Sequence, residues 1–162
     1  MNTNSSFATD SRFGRPKLNF WRIFWLSFLV ISLAYSVYCF YVPPNNVAWA
    51  KDYSEAKAQA VETDKPMILF FTGKWCVPCR IMKRQVWADS QVTTQINDQF
   101  VPVSIDVGDP KNAALLDTYK VQGPPVTMVT DPAGNVRAWR AGSTGKSEFL
   151  ELLSEGKSSR VD

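Results

Sequence analysis

The chain has 162 residues, with 18 Lys/Arg against 15 Asp/Glu, no histidine and three cysteines. That length accommodates one domain plus extensions, and the missing histidine removes a Cys-His nucleophile pair. Residues 51–162 hold 14 basic and 14 acidic side chains, so the net +3 arises in the first 50 residues, and no basic patch for a nucleic-acid partner is expected.

Residues 1–19 are polar and rich in Ser, Asn and Thr, and read as a disordered cytoplasmic tail. Residues 20–42, FWRIFWLSFLVISLAYSVYCFYV, carry one charge, Arg22. About 20 apolar residues cross the hydrocarbon core as a helix, and a buried core helix would need only about 10–14. Trp21, Trp25, Tyr38 and Tyr41 lie toward the ends of the run, where aromatic rings favour the membrane interface. Arg12, Arg15, Lys17 and Arg22 precede or open it against one acid, Asp10, while residues 43–50 are uncharged. The positive excess keeps the N-terminus cytoplasmic and sends the remainder across the plasma (inner) membrane, into the periplasm or the extracellular space. Ala48-Trp49-Ala50 is an A-x-A site, so cleavage after Ala50 and secretion of the domain is the alternative. Either route ends where disulfide chemistry is normal.

Pro43-Pro44 breaks the helix and opens a linker over 43–50, followed by a folded domain over 51–156 and a tail over 157–162. Residues 53–63, Ala-rich and charged, predict a helix. MILFF at 67–71 predicts a buried central strand. A helix follows over 76–86, and Asp89 caps a continuation through Val92 and Ile96. Residues 100–107 read as a strand and 112–119 as a helix. A hairpin pairs 126–130 with 136–141 across the turn cluster 131–135. A last helix over 146–153 turns Phe149, Leu150, Leu152 and Leu153 to the sheet. This order predicts an α/β domain with a mixed sheet covered by helices on both faces. Its first two strands are expected to pair in parallel through a right-handed crossover.

Cys39 sits within the apolar run and reads as an inert filler. That leaves Cys76 and Cys79, spaced C-x-x-C between a strand and a helix. A thiol at a helix N-terminus faces orphan N–H groups and the positive end of the dipole, so its thiolate is stabilised. Cys79, one turn inward, is poorly exposed yet within reach of Cys76. Pro78 suits the first turn. Trp75 either shields the pair or simply packs, and Arg80, Lys83 and Arg84 read as a solvated face. A structural zinc site wants four Cys or His ligands, which this chain lacks, so no metal is expected. A purely structural disulfide would close a two-residue loop and remove little chain entropy. Redox chemistry remains. No flavin, haem or nucleotide site is visible, and no cofactor is expected. Gly142-Ser143-Thr144-Gly145-Lys146-Ser147 ends like a phosphate-binding loop, but the first glycine of that pattern would fall at Arg140.

In order, MILFF, WCVPC, VSID, YKVQGPPVT and AGSTGKSEFLELL resemble the thioredoxin superfamily over about residues 50–156. WCVPC with a membrane tether is most similar to bacterial extracytoplasmic members, such as the thioredoxin-like domain of the transmembrane thiol-disulfide interchange protein. The resemblance implies a thioredoxin fold and a monomeric thiol-disulfide oxidoreductase, with Cys76 as nucleophile and Cys79 as resolving thiol. It implies a cis-proline at Pro125 facing the dithiol, with Trp75, Val77, Pro78 and Pro124 beside the substrate. Protein disulfides are the implied substrates, and reduction is the implied direction, with oxidation the alternative. A reductase in that compartment needs electrons, so a membrane dithiol donor is implied as a partner. Three positions depart from the family pattern. Phe70 stands where a buried carboxylate assists the second cysteine, Pro102 where a lysine lies on the neighbouring strand, and Pro124 where a residue offers its N–H to the substrate. Two other readings stay open: a tethered binding module or holdase without redox turnover, and a structural subunit of a membrane complex working through its apolar helix.

Overall fold

The computed structural model describes residues 17–158, so most of the expected tails at 1–19 and 157–162 lies outside the described residues. The chain divides into two units, one reaching Tyr41 and the other beginning at Val42. In the first, α1 (Lys17–Phe40) is one continuous helix. Its stretch Asn19–Phe40 is the one helix among the described residues long and apolar enough to cross a membrane. Trp21, Phe24, Trp25 and Phe28 form a ladder of rings with centroids 5.8–6.1 Å apart.

The second unit runs α2 (Tyr53–Thr63), β1 (Met67–Thr72), α3 (Val77–Gln85), α4 (Ser90–Gln99), β2 (Val101–Asp106), α5 (Ala113–Thr118), β3 (Val126–Thr130), β4 (Val136–Ala141) and α6 (Lys146–Ser158). The strand order is β2-β1-β3-β4, with β1 and β2 parallel and the other pairs antiparallel. Every residue of β1 is buried, because a central strand covered on both faces has no solvated side. Ile68 and Phe70 enter the layer built from α3, α4 and α6, while Met67, Leu69 and Phe71 enter the layer of α2 and α5.

As the sequence predicts, the chain after the cysteines forms a helix and Asp89 caps the next one, α4. The structure departs from the sequence reading in two local ways. A single 3-10 turn, Pro110–Asn112, precedes α5. Helix α6 continues to Ser158, well past 153, because Gly156 is buried within it and does not end it. The segment read as a linker also joins the domain. Val47 and Ala50 are buried, the Ala50 N–H donates to the Pro102 carbonyl at 2.9 Å, and Ala50 pairs with Val103. Trp49 lies with its ring centroid 4.7 Å from that of Trp87.

Asp89 ties α4 to α6. Its carboxylate accepts from the N–H groups of Gln91 and Val92 at 3.0 and 3.1 Å and from Lys146 Nζ at 2.8 Å. The Lys146 hydrogen bond, then the Val92 one, hold its carboxyl below the ordinary carboxylate pKa. A depressed carboxyl contributes stability that is complete above its unfolded pKa, about 3.9, and lost as the pH falls through the folded value. Asp89→Asn should therefore lower the melting temperature at pH 7. That deficit should narrow below about pH 4, as read by thermal melts of both proteins across the acid range.

Candidate functional site

Strand β1 ends at Thr72, and the next residues turn so that the Cys76 N–H donates to the Gly73 carbonyl at 3.0 Å. Cys76 is then the N-cap of α3. Its backbone is extended, and its Sγ accepts from the Cys79 N–H at 3.2 Å. A sulfur is a weak acceptor, but here it takes the place a serine or aspartate oxygen holds in an ordinary cap. Pro78 sits in the first turn, where its missing N–H leaves nothing unsatisfied.

Cys76 and Cys79 are joined as a disulfide, with Cα atoms 5.3 Å apart, and Cys39 is free. Both bonded cysteines are about 1% exposed, whereas the flanking Trp75 and Val77 are 69% and 53% exposed. Trp75 is therefore not packed into the core. Its indole edge runs along Gly73, where an added Cβ would lie 3.4 Å from two ring atoms. A buried disulfide thus lies between exposed apolar neighbours, a surface that a partner chain can cover.

Antiparallel pairing sets Phe71 opposite Val126. Pro125, one residue before Val126, therefore lies at the sheet end where β1 hands the chain to the cysteines. The Pro124-Pro125 bond is cis. Pro125 is buried, and its carbonyl accepts from the Gly142 N–H at 2.8 Å. Pro124 has no N–H, so only its carbonyl is available to an extended ligand. Trp75, Cys76, Val77, Pro78 and Cys79 follow one another at this end, and the register brings Pro124 and Pro125 to it.

Phe70 is fully buried and shares one core cluster with Cys76, Cys79 and Met82. Its ring centroid is 4.9 Å from that of Trp87 and 6.4 Å from that of Trp49, and Trp87 lies 4.9 Å from Phe149. An aromatic stack fills the position of the family carboxylate. Pro102 lies on β2 opposite Ile68.

Arg80, Lys83 and Arg84 correct the sequence reading, for all three are partly buried and do not form a solvated face. Lys83 places its Nζ 5.9 Å from the Phe70 ring centroid. Burial lowers the Lys83 pKa, and Asp106 acts in the opposite direction. The sequence carried this signal only as the spacing of Lys83 from Cys79, four residues along a helix.

Comparison with known proteins agrees with this geometry. A family model described as thioredoxin-like matches residues 48–132, just over half of the chain. The thiol:disulfide interchange protein DsbD of Ralstonia nicotianae is 33% identical over 106 residues, which is 63% of this chain and 17% of that protein. DsbD 1 of Pseudomonas aeruginosa is 29% identical over 91 residues, 56% of this chain and 15% of that protein. The chain thus spans less than a fifth of the length of these relatives. The solved structure of the DsbH oxidoreductase superposes with a TM-score of 0.63 at 26% identity, covering 74% of this chain and 89% of that one. A thioredoxin from Thermus thermophilus gives 0.61 at 27% identity, covering 67% and 85%. A four-stranded mixed sheet between two helical layers, a C-x-x-C disulfide capping a helix, and a family match that spans the disulfide and three of the four strands place this chain in the thioredoxin-like family.

Proposed function

We propose that the protein is a membrane-tethered thiol-disulfide oxidoreductase that reduces disulfides of extracytoplasmic proteins. The observation that carries this reading is the Cys76–Cys79 disulfide at the N-terminus of α3. The helix end favours a thiolate on Cys76 over one on an unstructured cysteine. In the reduced protein the Cys76 thiolate attacks one sulfur of a substrate disulfide and releases the other as a thiolate, which takes a proton from water. The Cys79 thiol gives up its proton, and its thiolate attacks Cys76 Sγ. The internal disulfide closes and the second substrate sulfur leaves with the bonding electron pair. Two electrons pass to the substrate, so each turnover requires a dithiol donor to reopen Cys76–Cys79.

Trp75, Val77, Pro78, Pro124 and Pro125 form the surface against which the substrate chain lies. The positive residues Arg12, Arg15, Lys17 and Arg22 support a cytoplasmic N-terminus, with α1 as the anchor and the domain on the far side. The similarity to DsbD, a thiol:disulfide interchange protein, supports thiol-disulfide exchange as the chemistry, and reduction is the direction proposed for it.

The test is disulfide reduction by the full chain in detergent, with dithiothreitol as electron source, for native protein and Cys76→Ala. Loss of all turnover above the dithiothreitol background in the variant supports the reading. Equal turnover in both overturns it. The buried aromatic at Phe70 favours, as a second reading, a binding module that keeps the fold without turnover. That reading requires Cys76→Ala to bind partners as the native protein does, with no turnover in either.

A further inference from the structure

We infer that Lys83 is a positioning residue for the resolving step: its ammonium, held over the Phe70 ring one helical turn beyond Cys79, stabilises the Cys79 thiolate. The inference rests on Cys79 being the resolving thiol, as proposed above.

Cys79 is about 1% exposed, and burial by itself disfavours a thiolate. Strand β1, MILFFT, lies beneath it and contains no ionisable group. Helix α6 reaches the same cluster through Phe149, Leu152 and Leu153, which are also uncharged. Helix α3 itself carries Arg80, Lys83 and Arg84, and Asp106 at the end of β2 acts on Lys83. Within α3, Lys83 is the residue four positions after Cys79. Residues at that spacing share a face, with Cβ atoms about 5–6 Å apart, and helical side chains lean back toward the N-terminus. The Lys83 chain therefore runs toward Cys79.

Phe70 fixes where that chain ends. The Lys83 Nζ lies 5.9 Å from the ring centroid, within cation–π range, and Phe70 belongs to the same cluster as Cys79. A carboxylate at this position would neutralise the ammonium, whereas an aromatic face holds it without cancelling its charge. Partial burial also strips water from the ammonium, so its field at a nearby sulfur is less screened. Lys83 transfers no proton. The Cys79 proton goes to water, the thiolate attacks Cys76 Sγ, the Cys76–substrate bond breaks, and the departing substrate sulfur takes a proton from water.

The experiment mixes the reduced full-length chain, in detergent, with excess oxidised glutathione. Acid quenching and mass spectrometry then follow the mixed disulfide as it appears and decays. Its decay is the resolving step, measured from pH 5 to 10. Lys83→Met is expected to raise the pH midpoint of decay by about one unit, the smallest shift typical of a nearby unit charge. The thiolate fraction near neutrality then falls about tenfold. A more basic thiolate is a better nucleophile, with a Brønsted slope of about 0.4–0.5, so the net slowing is about threefold. Lys83→Arg is expected to restore the native midpoint, and melting curves confirm that each variant is folded. If Lys83→Met does not fold, Lys83→Gln is read in its place. A native midpoint in the folded uncharged variant overturns the inference and leaves the oxidoreductase reading intact. A native chain whose mixed disulfide never decays overturns both.

Discussion

A full-length Cys79→Ser chain is expected to accumulate in cells as covalent mixed disulfides with extracytoplasmic proteins, while Cys76→Ser accumulates none. The asymmetry follows from position. Cys76 caps α3, with its sulfur on the Cys79 N–H, so it is the thiol that the helix end activates. Cys79 lies inside the first turn of the helix, behind Cys76, so it is placed to attack a sulfur already bonded to Cys76; exposure does not distinguish the two, since both are about 1% exposed. Its advantage is proximity. Well-oriented intramolecular partners reach effective concentrations of about 10⁵ M or more, against millimolar external thiols. That ratio is about 10⁸ at full orientation, so the adduct of the variant should persist for as long as the cells are followed. Non-reducing gels of cells quenched with acid read the result: a ladder of adducts that dithiothreitol collapses in Cys79→Ser alone. Adducts on Cys76→Ser with none on Cys79→Ser would mean that the order of attack is reversed, and equal abundance on both would mean that neither thiol is the dedicated nucleophile.

Gly156→Ala is expected to destabilise the domain, although alanine is the better helix former by about 1 kcal/mol. Gly156 is buried in α6, and an added Cβ would press on Val129, 2.5 Å from its Cβ and against Cγ1. Rotating Val129 moves its methyl groups but not its Cβ, and Val129 is fully buried in β3. The helix itself must lift from the sheet. Overpacking of this kind costs about 1–3 kcal/mol. With no free rotamer available the upper half of that range applies, and the net loss after the helix gain is about 1–2 kcal/mol. For a domain of this size that is a fall of roughly 4–8 °C in melting temperature. Calorimetry of both proteins measures it, and a melting temperature equal to or above the native one would show that α6 does not sit this tightly.

Much of the architecture could be read from residue pattern. MILFF specifies the central strand because a strand covered on both faces must be continuously apolar, and the turn cluster at 131–135 marks the hairpin. The C-x-x-C pair was legible for a similar reason: few roles suit two cysteines three residues apart at a helix start in a chain without histidine. What escaped depended on distant partners. Gly156 marks only the expected end of the domain until Val129 is seen to require it. Lys83 resembles a solvated side chain until Phe70 appears beneath it. Residues 43–50 resemble a linker because their tie to the domain is made with β2 and Trp87, roughly 40–55 positions away in sequence.

That last tie bears on timing. Ala50, the residue after which a signal peptidase would cut, is paired with Val103 and donates to Pro102. The Ala48 N–H donates to Asn97 Oδ1 at 2.9 Å, and Trp49 rests against Trp87. A protease needs this stretch extended and free, so the folded domain would hide a processing site placed here. Were the chain cut after Ala50, cutting would compete with folding as the chain emerges. A chain cut there would also surrender its Trp49 contacts, of which the aromatic pairing alone contributes about 0.5–1.5 kcal/mol beyond buried area. Once folded, the domain withdraws Ala50 from cleavage.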